Sequence, residues 1–168
     1  MALITSKGTM DKENSAVRKY IAQRADLLGA IRLPNNTFKG NAGTEVVSDI
    51  LILQKRDRIV DIEPDWVQFG TDENGILMNR YFVEHPEMIL GEMKMVSGRF
   101  GPEATCVPYE GADLAEQLSE AVSNIHGELT AYEVEDELAE EDNCNPQTAR
   151  EQFITVKEQF DKPDGIQA

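Results

Sequence analysis

The stretch from Leu27 to Arg56, LLGAIRLPNNTFKGNAGTEVVSDILILQKR, constrains the fold more than any other. Two apolar runs rich in Leu, Ile and Val, LLGAIRL and VVSDILIL, flank the polar, glycine-bearing segment PNNTFKGNAGTE. This pattern predicts two buried strands joined by an exposed loop. One aromatic, Phe38, stands among Asn, Lys, Gly and Thr in that loop. Such a ring either tucks back onto the sheet or offers its face to something flat.

The residues before this stretch extend the pattern. Ala2, Leu3 and Ile4 read as a strand with no lead-in, which predicts a chain that starts inside a domain. A helix is expected from Glu13 to Ala25, with Asp11 as its N-cap and Glu13 complementing the positive end of its dipole. Val17, Tyr20, Ile21 and Leu28 recur at helical spacing, and Arg18, Lys19, Gln23 and Arg24 fall on the other face. Strand, helix and strand at this spacing predict a βαβ crossover, with Leu3 and Ile31 on neighbouring parallel strands. The run from Val46 to Gln54 then pairs antiparallel with the strand before it, and Lys55, Arg56 and Arg58 close the module with solvated positive charge.

Beyond Ile59 the signals are shorter. Trp66, Val67 and Phe69 form an apolar knot, TDENG marks a turn, and two strands are expected around GRFGPE, with Phe100 and Val107 available for packing. His85 precedes Pro86 and reads as a turn residue, because no second histidine or cysteine lies at ligand spacing. A helix opening at Gly111 or Asp113 carries Leu114, Leu118, Ala121, Val122 and Ile125 on one stripe. The acidic run after His126 reads as a linker or tail, in which Phe153, Ile154, Val156 and Phe160 can form one more short helix. The expected organisation is therefore residues 1–60, an α+β extension at 61–127, and an acidic tail at 128–168.

Charge narrows the function classes. Residues 1–60 carry 10 Lys and Arg against 6 Asp and Glu, and residues 61–168 carry 6 against 25, so a total of −15 divides into +4 and −19. A polyanion is repelled by the rear of such a chain, and any nucleic-acid contact belongs in the first 60 residues. Cys106 and Cys144 stand alone, as reduced thiols of a cytoplasmic protein do. No apolar run has the length of a membrane span, and residues 1–10 lack a signal-peptide core. Gly40 and Gly43 lie between two strands rather than ahead of a helix, which argues against a phosphate-cradling loop. There is no GxSxG and no HExxH, and the carboxylates sit in runs, so spacing alone does not describe a self-sufficient enzyme.

Residues 2–58, with the pattern LPNNTF...AGTEV...DILILQKR, resemble the later part of the catalytic domain of adenine-specific DNA N6-methyltransferases. They are most similar to the large methylase and SNF2-type helicase fusions of mobile elements. NRYFVEHPEMILGEM and EGADLAEQLSEAVSNI are similar to the segments downstream of the methylase core in those fusions, and the likeness spans roughly residues 2–127. It implies a partial Rossmann-like α/β sheet of β-α-β-β order, parallel and ending in an antiparallel hairpin. It also implies S-adenosylmethionine as the complete enzyme's cofactor, held upstream together with the [DN]PP[FY] clamp on the target amino group. None is expected on this chain alone, whose partners would be DNA, the upstream methyltransferase half and a helicase domain. Asn145-Pro146-Gln147 lacks the second proline and the aromatic of that clamp. The family's later motif places an aromatic between the last two strands, where it stacks on the extruded base, and Phe38 occupies the matching position. Asn36, Lys39 and Asn41 would then reach phosphate or base edges, with Gly40 and Gly43 allowing close backbone approach. Two other readings stay open: an acidic module that binds a basic partner or mimics DNA, and a structural remnant without activity.

Overall fold

A computed structural model describes residues 1–127. In chain order the elements are β1 (Ala2–Ser6), α1 (Gly8–Asp11), α2 (Ala16–Arg24), β2 (Ala25–Leu33), α3 (Lys39–Ala42) and β3 (Ser48–Lys55). They continue with β4 (Phe69–Thr71), β5 (Leu77–Asn79), α4 (Arg80–Glu84), β6 (Glu92–Gly98), β7 (Gly101–Val107) and α5 (Leu114–Ser123). The class is mixed α/β. Met1–Glu128 form one compact unit, in which residues 1–60 and 61–127 contribute to a single apolar core. The expected acidic tail, its short helix and Cys144 lie outside the described residues. Among the described residues no helix is long and apolar enough to cross a membrane.

The two apolar runs pair as expected: β2 and β3 are antiparallel neighbours, from Ala25 opposite Lys55 to Leu33 opposite Ser48. The expected parallel neighbours are not found. β1 pairs antiparallel with β3, and the sheet order is β1-β3-β2, so Leu3 faces Leu51 rather than Ile31. A helical crossover fixes that β1 and β2 run in the same direction, but it leaves room for a third strand between them. The chain fills that gap by returning β3 through it, and all pairing in the sheet becomes antiparallel. The other two sheets, β4-β5 and β6-β7, are antiparallel hairpins.

A bulge lies inside β2, where the register shifts between Leu27 and Gly29. Leu28 is the extra residue, and a one-residue shift turns the following side chains over. From Gly29 to Leu33 every residue is buried. A Cβ at Gly29 would come within 2.7 Å of the Ile125 side chain just beyond α5, so the glycine is what lets that segment close over the bulge. α5 starts at Asp113, whose carboxylate accepts from the N–H groups of Ala115 and Glu116. Leu114, Leu118 and Ile125 pack on the core and Ala121 is buried within it, whereas Val122 points to solvent rather than joining that stripe.

α2 is rotated from the expected orientation. Arg18 and Ala22 are buried, while Val17 is 55% and Tyr20 59% exposed. The Arg18 guanidinium reaches the carbonyls of Val67 and Lys12 at 2.9 and 2.7 Å and lies over the Phe69 ring. With those acceptors in place the long side chain is satisfied inside, and small Ala22 lets the helix approach closely. Asp11 ends α1 instead of capping α2, and its carboxylate accepts from the Asn79 N–H at 3.0 Å.

Candidate nucleic-acid interface

The loop between β2 and β3 rises from a charged clamp. Arg32 and Asp49 stand opposite each other one position in from the strand ends. Both are fully buried, and Arg32 Nε and Nη2 donate to the two Asp49 carboxylate oxygens at 2.8 and 2.9 Å. Arg32 Nη1 forms an ion pair with Asp11 at 2.8 Å, and the guanidinium lies 4.3 Å from the centre of the Phe82 ring. Burial pulls the Arg32 guanidinium down, but the hydrogen bonds and charges of Asp49 and Asp11 outweigh it and hold it above its ordinary value. Burial pushes the Asp49 carboxyl up, against the opposing pull of Arg32. Through Arg32 the clamp ties the sheet to Asp11 at the end of α1 and to the Phe82 ring of α4. Charged letters inside two apolar runs, able to face each other across a hairpin, were the signal for this clamp.

Above it, Phe38 is half-buried with its ring packed against the edge of the core. It is neither sealed inside nor fully presented. Lys39, Gly40 and Asn41 lie on α3, Gly43 follows it, and all of them, with Asn36, are exposed. Lys39 Nζ is paired with Glu45, which raises its pKa. A phosphate would have to compete with that glutamate. Gly43 has φ 64° as the left-handed cap of α3, which is reason enough for glycine there. A Cβ at Gly40 would meet open space.

The start of the loop is tied to the β6-β7 ribbon. The Asn35 N–H donates to the Cys106 carbonyl at 2.8 Å, and its side-chain amide meets the Thr105 hydroxyl at 3.3 Å. Lys7 Nζ donates to the Ala104 carbonyl on the same strand. Between loop and ribbon is an open cleft of about 330 Å³, bordered by Ser6, Lys7, Glu45, Val46, Glu103 and Thr105. Its size is at the lower end for small-molecule sites, and two glutamates make it a poor seat for phosphate. Cys106 is buried at the ribbon's root, its thiol pushed up to about 12 by burial, with Arg32 pulling the other way. The expected packing role of Phe100 is not found: the ring stands at the ribbon tip, 95% exposed, with the Arg99 guanidinium 5.4 Å from its centre. His85 caps the end of α4 beside Pro86, its ring stacked on Tyr81.

No protein-family model, curated protein or solved structure matches the chain.

Proposed function

We propose that this chain is the target-base side of a DNA adenine-N6 methyltransferase catalytic domain, the reading to which the sequence resemblance points. One observation carries it: β2 and β3 hold between them a polar loop whose single aromatic, Phe38, is half-exposed at the strand ends. A base swung out of a duplex loses its neighbours and regains stacking on such a face, and the amides of Asn36 and Asn41 supply polar contacts beside it. The sheet is read as the end of a larger, mostly parallel one. β1 and β2 run in one direction, β1 has no second strand neighbour among the described residues, and its Ile4 is 63% exposed. An apolar edge of that kind calls for covering strands. Gly40 lies in a four-residue helix and Gly43 caps it, each with open space where a Cβ would stand; S-adenosylmethionine is the cofactor that the resemblance implies for the complete enzyme, and no residue of this loop is assigned to it.

The test is binding of the whole chain to a labelled duplex with one adenine opposite an abasic site. Phe38→Leu, which keeps apolar volume and removes the aromatic face, is expected to weaken binding about tenfold, while Phe38→Tyr retains it. Equal affinity for all three removes the role of Phe38. Methyl transfer from labelled S-adenosylmethionine by the chain alone would overturn the division of labour proposed here.

A second reading is favoured by the 13 acidic against 3 basic residues at 61–127. An acidic segment of this kind suits a basic protein partner, and binding that weakens steeply with salt is its signature.

A further inference from the structure

We infer that two adjoining apolar hollows, one on each side of Pro86 and Ile89, form a docking groove for a basic segment of a partner protein, each hollow seating one lysine or arginine side chain. This rests on the basic-partner reading above, locates its surface, and is independent of Phe38. The first hollow, of about 250 Å³, lies between the β4-β5 turn and α4. Met78, Phe82 and Val83 give it an apolar lining, and Asp72 and Glu73 add carboxylates. The second, also of about 250 Å³, lies against α5, lined by Leu90, Tyr109 and Ala121 with the carboxylates of Glu87 and Glu120. Pro86 and Ile89 border both, so the two hollows share a wall. That wall is fixed to the sheet: Ile89 bridges to Arg32 on β2, the Leu90 N–H donates to the Arg32 carbonyl at 2.9 Å, and neighbouring Met88 is buried.

The charge around the groove is of one sign. Four carboxylates border it and no lysine or arginine does. Of the three cations at 61–127, Arg80 is paired with Glu84, Lys94 with Glu92, and Arg99 lies against the Phe100 ring. Among the described residues Asp72, Glu73 and Glu120 form no ion pair, and Glu87 has His85 Nδ1 at 3.3 Å. A lysine or arginine suits such a hollow, because its stem packs on apolar surface while its head reaches the charged rim. Tyr109, 52% exposed, offers a ring face to a guanidinium. Size points to single side chains, since sites for small organic ligands start at about 300 Å³. The carboxylates are too spread for a metal ion: among the described residues no three His, Cys, Asp or Glu stand close enough to share one. The chain's own rear segment is a poor occupant, as residues 128–168 carry 12 acidic against 3 basic residues. The field that repels DNA from this part of the chain draws a basic segment in.

Fluorescence anisotropy of the whole chain would be measured with labelled synthetic peptides alternating lysine with serine and arginine with serine, from low to moderate salt. Glu73→Gln combined with Glu120→Gln is expected to weaken binding of either peptide about tenfold with no change in thermal midpoint, and Tyr109→Ala to weaken the arginine peptide about threefold. Asp61→Asn combined with Glu103→Gln removes as much charge away from both hollows and should leave affinity within about twofold. The methyl NMR signals of Val83, Ile89 and Leu90 should shift as the peptide binds. If the two double variants weaken binding equally and those methyls stay still, overall charge attracts the peptide, the groove is not its seat, and the basic-partner reading survives. If the parent chain binds neither peptide, both fall together. Spermine moving the same methyls with the affinity of the peptides would reassign the groove to a small polyamine. Self-association of the parent by sedimentation equilibrium, lost in the Glu73 and Glu120 double variant, would reassign it to a second copy of this chain, and either result overturns the inference.

Discussion

The ladder between β2 and β3 carries an arginine–aspartate pair toward each end, chemically alike and physically opposite. Arg32 and Asp49 lie beneath the 34–47 loop with both side chains fully buried. At the other end Arg56 is paired with Asp26, whose side chain is 54% exposed. The register separates them further. Arg32 faces Asp49 directly, whereas Asp26 faces Gln54 and is reached diagonally by Arg56, just past the strand end. A buried pair commits the sheet to one arrangement, because losing either partner strands a charge in the interior. The second pair contributes less, since the Asp26 carboxylate is largely in water even though the Arg56 side chain is only 13% exposed. The loop-bearing end is thus held rigidly beneath an exposed surface, and the opposite end is left to solvent.

Asp49→Ala should have the largest effect, destabilising the chain by about 3–5 kcal/mol in urea unfolding. The double variant Arg32→Met with Asp49→Leu, which removes both charges and keeps volume, should regain much of that loss. A single-variant cost below about 1 kcal/mol would erase the distinction between the two pairs.

Between the pairs lies the bulge at Leu28, which sets the register that brings Arg32 opposite Asp49. Without it Arg32 would face Ser48, and the side chains beyond would turn over. Gly29→Val is expected to cost about 1–3 kcal/mol, because its Cβ alone would overlap Ile125. Ile125→Ala in the same chain should relieve part of the strain, and simple additivity of the two would show that the close approach has no energetic weight.

How far the sequence could be read depended on what each residue needed. The β2-β3 pairing was legible because LLGAIRL and VVSDILIL each form a run long enough for a strand and are joined by a loop. The β6-β7 hairpin was legible from GRFGPE, and α5 from its apolar stripe. The sheet order was not, because a crossover fixes strand direction and says nothing about which strand later enters the gap. Arg18 misled because periodicity sorts residues by polarity, while the structure rewarded the carbonyls within its reach. Of the candidate interface, the loop between the two strands was legible from the residue pattern, and the role given to its aromatic is what the resemblance implies. The buried clamp was written as two charged letters in apolar runs, and Phe100 was assigned to packing because aromatics usually pack.

Cys106 allows a smaller test of the buried end. With its thiol raised to about 12 in the fold from an ordinary value of 9.0, the protonated form is favoured by folding. That stability is fully present below about pH 9 and is lost as pH rises toward 12, amounting to about 1 kcal/mol by pH 10. Cys106→Ala should flatten this part of the alkaline unfolding curve. In the native chain, alkylation mapped to Cys106 at pH 8 should be slower than in urea by a factor of about a hundred or more, since both burial and protonation oppose it. Equal rates would mean that the ribbon's root opens freely.

The smallest effect belongs to the exposed pair. The hydrogen bond from Arg56 depresses the Asp26 carboxyl below its ordinary 3.8, outweighing the upward push of its slight burial. A depressed carboxylate stabilises the fold above its unfolded pKa, and the contribution disappears as pH falls through the lower folded value. Because Asp26 is largely in water, that contribution is expected to be below about 0.5 kcal/mol. Asp26→Asn should therefore shift the urea midpoint only slightly at pH 7, and less still in high salt, where the pair is screened. A cost approaching that of Asp49→Ala would mean that both ends of the ladder are clamped. The loop would then owe nothing special to the burial beneath it.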